Sequence, residues 1–110
     1  MACSDDFVQY IVGQCADAGE ITARKMMGDY CIYCDGVVFG LVCDNILYVK
    51  QTDAAKEILH ETVLRPPYDG AKEYFVIADV DDRDYLAKIV RTTISNLPKS
   101  KTRKPKNTMR

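Results

Sequence analysis

The chain has 110 residues, 47% apolar and 28% charged, and its 15 Lys and Arg against 16 Asp and Glu leave a formal net charge of −1. That balance describes a single soluble domain with one modest core. It excludes a bilayer-spanning helix, because no apolar run approaches the ~20 residues such a helix needs. The start, Met1-Ala2-Cys3-Ser4-Asp5-Asp6, is acidic and lacks the apolar segment of a signal peptide, so the cytoplasm is the expected location and a membrane is not an expected partner.

In chain order, Ser4 suits the cap of a helix over 5–18, with Asp5 and Asp6 at the positive end of its dipole. Phe7, Val8, Ile11, Val12 and Cys15 form its apolar stripe, and Gly19 is its expected stop. Residues 21–28 read as a short strand ending at Gly28, carrying the adjacent cations Arg24 and Lys25. Residues 30–34, 37–43 and 46–50 are three β-rich runs separated by Asp35-Gly36 and Asp44-Asn45. Both pairs suit two-residue hairpin turns with positive φ, so a three-stranded antiparallel meander is expected.

Unbroken hairpins would pair Cys34 with Val37, Ile32 with Phe39, Tyr30 with Leu41, Cys43 with Ile46 and Leu41 with Tyr48. Both faces of that meander are apolar, whereas a solvated face would alternate with polar residues. The sheet therefore requires cover on two sides, from helices on both or from helices on one and a partner on the other. Thr52 caps a second helix to about residue 62, with Ala54, Ala55, Ile58 and Leu59 inward. Arg65-Pro66-Pro67-Tyr68-Asp69-Gly70 follows as a rigid loop, with Arg65 and Tyr68 as its candidate contact residues. Residues 73–78 read as a strand. Asp81 or Asp82 opens a last helix with Tyr85, Leu86, Ile89, Val90, Thr93, Ile94 and Leu97 on one side, stopped by Pro98.

The expected fold is thus α+β: an antiparallel sheet flanked by about three helices, in the order α-β-β-β-β-α-β-α. It divides into a domain over 1–98 and a tail over 99–110. The tail carries Lys99, Lys101, Arg103, Lys104, Lys106 and Arg110 and no acid. With six of the 15 basic residues there, the domain keeps nine against 16 acidic ones, a formal charge of −7. Near-neutrality is a cancellation between an acidic body and a +6 tail whose composition predicts disorder.

Candidate chemistry is sparse. The five cysteines are odd in number and irregularly spaced, a poor disulfide framework. Cys31 and Cys34 match C-x-x-C, but on a strand positions i and i+3 point to opposite faces and cannot share a metal ion. Cys34 and Cys43 are expected on one face, at opposite ends of the middle strand. Neither Cys31 nor Cys34 lies at a helix N-terminus, where a redox thiolate would be favoured. His60, the sole histidine, reads as a solvated residue near a helix end. Asp79, Asp81, Asp82 and Asp84 lack the spacing of a calcium loop and read as helix-capping residues. No glycine-rich phosphate loop is present. The reading is therefore no catalytic residue, no cofactor and no metal. A nucleic-acid partner is the alternative, carried by the six tail cations with Arg24 and Lys25 as helpers, although an acidic body repels a polyanion.

Residues 24–50, Arg-Lys-Met-Met-Gly-Asp-Tyr-Cys-Ile-Tyr-Cys-Asp-Gly followed by an apolar strand, Asp-Asn and Ile-Leu-Tyr-Val-Lys, resemble the hallmark of the TfoX/Sxy N-terminal domain family. Pro66-Pro67-Tyr68-Asp69-Gly70-Ala71-Lys72 and Leu97-Pro98 are similar to its later motifs. Met27 stands where Phe is usual and Cys31 where Gly is common. The resemblance covers about residues 7–99. It implies an α+β fold akin to secretion-chaperone-like domains, no catalytic residue, and a bacterial regulatory role of the kind that controls natural competence and transcription. The expected function is a non-enzymatic regulatory or protein-interaction domain with a regulatory protein partner. A homodimer would cover the second sheet face, and a small-ligand module is a further alternative.

Overall fold

The computed structural model describes residues 5–26 and 29–97. The expected cap at Ser4, the strand end at Gly28, Cys3 and all six tail cations lie outside these residues.

Helix α1 spans Asp5–Gln14 and buries Val8 and Ile11. A 3₁₀ turn, Ala16–Ala18, follows it. Four consecutive strands come next: β1 Ile21–Met26, β2 Asp29–Cys34, β3 Val37–Cys43 and β4 Ile46–Val49. Helix α2 spans Asp53–Ile58, β5 Leu64–Arg65, β6 Tyr74–Ile77 and α3 Arg83–Asn96. The strands form one six-stranded antiparallel sheet in the order β1-β2-β3-β4-β6-β5. The expected α+β architecture is therefore present, with an extra short strand. Leu64 and Arg65 pair with Phe75 and Tyr74 instead of belonging to the loop. Their two residues are too few to show periodicity in sequence, and pairing with β6 is what makes them a strand.

Local chemistry placed the turns and caps. Asp35 and Gly36 have φ of 52° and 86°, and Asp44 and Asn45 have φ of 55° and 59°. These are the left-handed conformations a two-residue hairpin turn requires. Thr52 Oγ1 accepts the Ala55 amide at 3.1 Å, and Asp82 Oδ1 accepts the Tyr85 amide at 3.1 Å. Helix α2 stops at Ile58, earlier than the expected 62, because Leu59 is already extended.

One pairing expectation is corrected. Cys34 lies opposite Val37 and Leu41 opposite Tyr48, as an unbroken meander requires. However, Ile32 lies opposite Gly40, not Phe39, and Tyr30 opposite Val42, not Leu41. Phe39 is the extra residue of a β-bulge, and a one-residue shift exchanges the faces of everything beyond it. Phe39 and Val42 are buried in the core, whereas Leu41 and Cys43 turn to the other face. Cys34 and Cys43 consequently do not share a face.

All three helices cover one side. Val8, Ile11 and Cys15, then Ala55, then Leu86, Ile89 and Val90 form a single cluster with Ile32, Phe39, Val42, Leu47, Val49, Phe75 and Ile77. Of the two arrangements that could cover an apolar sheet twice, the chain adopts helices on one side only.

Candidate functional site

The uncovered face follows from the register. Across one row run Arg24, Cys31, Leu41, Tyr48 and Val76, each the direct partner of the next. Tyr33 and Val38 pair in a second row, and Cys43 and Ile46 in a third. Cys31, Tyr33, Val38, Leu41, Ile46, Tyr74 and Val76 are all half-buried. Met26, at the edge, is 49% exposed. This is a contiguous apolar surface, and among the described residues no helix lies over it. Cys31 Sγ lies 3.3 Å from Met26 Sδ within it.

One part of the face is closed by the chain itself. The loop after β5 brings Pro67 into a buried position, and the Cys43 thiol donates to its carbonyl at 3.1 Å. Tyr48 is only 3% exposed, and burial pushes its phenol pKa up, opposed by the nearby Arg65 charge. Arg65 lies opposite Tyr74, while Tyr68 is 55% exposed. Burial, with the neighbouring Tyr68 and Cys31, likewise raises Tyr74. The two candidate contact residues of the loop thus lie at the rim of the open face.

The body cations named as nucleic-acid helpers are not brought together. Arg24 lies opposite Cys31 and Lys25 opposite Tyr30, so adjacent residues of β1 point to opposite faces. At the far end of the sheet, a cleft of about 560 Å³ is lined by Lys50, Gln51, Lys72, Glu73, Tyr74 and Leu97. Lys50 and Lys72 close two of the family-like motifs, 46–50 and 66–72, that lie apart in the chain. Only the pairing of β4 with β6 places them on one cleft.

The cysteines divide by face. Cys31 is half-buried on the open side, and burial raises its pKa despite the nearby Lys50 and Arg24 charges. Cys34 is buried on the helical side, its pKa raised by burial and by Asp35. Cys15, fully buried, is pushed up to about 12. Such thiols are packing groups rather than nucleophiles at neutral pH. Among the described residues, no three His, Cys, Asp or Glu side chains converge as metal ligands.

His60 is more engaged than a solvated helix end implies. Its Nδ1 lies 2.9 Å from Asp79 Oδ2, and its ring stacks on Tyr85 with centroids 3.8 Å apart. Its amide donates to the Tyr85 hydroxyl at 2.8 Å. The residues flanking α2 are thereby pinned to the start of α3. Of the neighbouring acids, Asp79 holds His60, Asp81 accepts the Tyr10 hydroxyl, and Asp82 caps α3. The spacing showed capping capacity but not these long-range partners.

Among the described residues no helix is long and apolar enough to cross a membrane. In sequence, the chain is 34% identical over 107 residues, 96% of its own length and 93% of the relative's, to an uncharacterized 12.7 kDa protein in the trpE 5′ region of Spirochaeta aurantia. Residues 13–97, from the end of α1 through α3, match the TfoX N-terminal domain. The matched segment contains the whole sheet and the face that the helices leave open, and the chain belongs to the TfoX N-terminal domain family.

Proposed function

We propose that this is a non-enzymatic, cytoplasmic regulatory domain that works by docking a protein on the open face of its sheet, a second copy of the chain being the simplest such partner. The observation that supports it is the uncovered face itself: Cys31, Tyr33, Leu41, Tyr74 and Val76 lie on one side, and all three helices pack on the other. Exposed apolar surface of this kind marks interaction sites. Membership of the TfoX N-terminal domain family supports a regulatory role, with competence and transcription as its field. The polar residues nominated for chemistry are occupied structurally, with His60 on Asp79 and Asp82 on the α3 amide.

The test is light scattering across a concentration series, with and without Leu41→Asp. That change places a charge on the open face without touching the helical core. A mass that rises toward a dimer and falls back in the variant is the expected result. A concentration-independent monomer, together with no stable partner retained from lysate after nuclease treatment, would refute the reading.

A further inference from the structure

The two edges of the sheet are built differently. β5 closes one edge with only two residues, Leu64–Arg65, and Pro66 and Pro67 follow at once. A short strand ended by proline offers little to a further strand. β1 forms the other edge, and all six of its residues pair with β2 without a bulge. It contains no proline.

The register shows which backbone groups of β1 point outward. The Asp35 amide donates to the Glu20 carbonyl at 2.8 Å, so that pair is bonded across the ladder. Bonded residues alternate along an antiparallel strand. Thr22, Arg24 and Met26 therefore bond to β2, while Ile21, Ala23 and Lys25 turn their amides and carbonyls away from the sheet. Among the described residues, no backbone group takes up these outward amides and carbonyls. The side chains of the same three residues lie on the helical side. Ile21 and Ala23 pack half-buried against the core, and Lys25 is exposed. This row is the rim of the sheet on its helical side, apart from the open face.

Charge narrows what can dock there. Among the described residues the ion pairs are His60 with Asp79 and Arg83 with Asp17, so neither Lys25 nor its neighbour Arg24 is neutralised by an acid. A second copy of β1 would bring the same two cations to the seam, and like charges across a strand pair are destabilising. A strand carrying a carboxylate would be drawn to it.

We infer that β1 accepts an extended acidic segment of another protein, which adds to the sheet as an antiparallel strand through Ile21, Ala23 and Lys25. Strand addition draws affinity from main-chain hydrogen bonds and specificity from alternate side chains. Along the added strand, the residues opposite Lys25, Ala23 and Ile21 are an acid and then two apolar residues, at alternate positions. The acid meets Lys25, and the apolar side chains complete the cover of Ala23 and Ile21.

The test is amide hydrogen exchange by NMR on the full chain with millimolar acetyl-Ser-Glu-Thr-Val-Thr-Val-Ser-amide. Two control peptides carry Lys in place of Glu or an N-methyl group on the first Val, which faces Ala23. The N-methylated peptide keeps every charge, so non-specific attraction to the chain's basic residues is the same for both. Ala23→Pro removes an outward amide without removing a ladder bond, a placement that edge strands tolerate, and its fold is checked by circular dichroism. The expected result is at least tenfold slower exchange at Ile21, Ala23 and Lys25, whereas Thr22 and Arg24 are already protected in the free chain. Ala23→Pro and the N-methylated peptide should each abolish the effect. Lys25→Glu should weaken the Glu peptide about fivefold and favour the Lys peptide, the scale of one exposed charge pair. No added protection, equal protection by the N-methylated peptide, or equal protection by the Lys peptide would each overturn the inference. So would protection of the three amides in the free chain that rises with protein concentration, which would make a second copy the occupant. None of these results bears on self-association through Leu41.

Discussion

Ile32 lies opposite Gly40, one residue further along β3 than an unbroken hairpin would place it. The displaced residue, Phe39, is fully buried among helical side chains and Ile32. This single bulge decides which half of β3 belongs to the core and which to the open face. Cys43 and Leu41, inward in a regular meander built on Ile32 and Phe39, become surface of the candidate site.

Gly40 is constrained for a reason different from that at Gly36. A Cβ on Gly40 would lie 2.1 Å from the Tyr48 carbonyl oxygen, whereas one on Gly36 meets nothing, and only its φ of +86° is unfavourable. Gly36→Ala should cost about 1 kcal/mol of backbone strain. Gly40→Ala should cost about 3 kcal/mol, the upper end of overpacking. Urea denaturation of both variants measures the contrast, and equal losses would refute the steric account.

Thiol labelling reports the two faces directly. In a Cys3→Ser background, a neutral disulfide reagent should modify Cys31 before Cys34 and Cys15, since Cys31 is half-buried on the open side. Cys34, at 2% exposure, and Cys15, at 0%, should react only after unfolding. Mass spectrometry of peptides after timed quenching identifies the order.

Cys15 also predicts an alkaline weakness. Its folded pKa is raised to about 12, chiefly by burial, above the ordinary thiol value. The folded state therefore holds the proton more tightly than the unfolded state. The associated stability is present below the unfolded pKa and is lost as pH rises from there toward 12. The loss should approach about 1.4 kcal/mol per pH unit in that window. Cys15→Ala should flatten the profile of stability against pH between roughly pH 9 and 11 relative to the parent.

The contact of His60 with Tyr85 should matter more than the exposed ion pair with Asp79. An exposed pair contributes about 0–1 kcal/mol, and an aromatic stack about 0.5–1.5 kcal/mol. His60→Ala should therefore cost about 1–2 kcal/mol in thermal or urea unfolding. Asp79→Asn should cost less, and its effect should shrink with added salt. A larger loss from Asp79→Asn than from His60→Ala would show that the carboxylate, and not the stack, holds the α2 exit.

Much of the fold was legible because its determinants are local. Asp35-Gly36 and Asp44-Asn45 can adopt positive φ, and Thr52 and Asp82 can cap, whatever surrounds them. The apolar character of both sheet faces was also readable, and with it the need for cover on each side. The family motifs over 24–50 carried the same content.

By itself, then, the sequence determined the turns, the caps, the antiparallel meander, the acidic body with its basic end, and the family. The tertiary structure decided the rest. The bulge at Phe39 in the pairing of β2 with β3, and the close approach of Gly40 to the Tyr48 carbonyl, are tertiary facts that no periodicity encodes. The open side, the partners of His60 and the meeting of Lys50 with Lys72 depend on contacts between residues far apart in the chain. Local propensity sets what each segment can become. Only the packing of three helices onto one face settles which side of the sheet is left open.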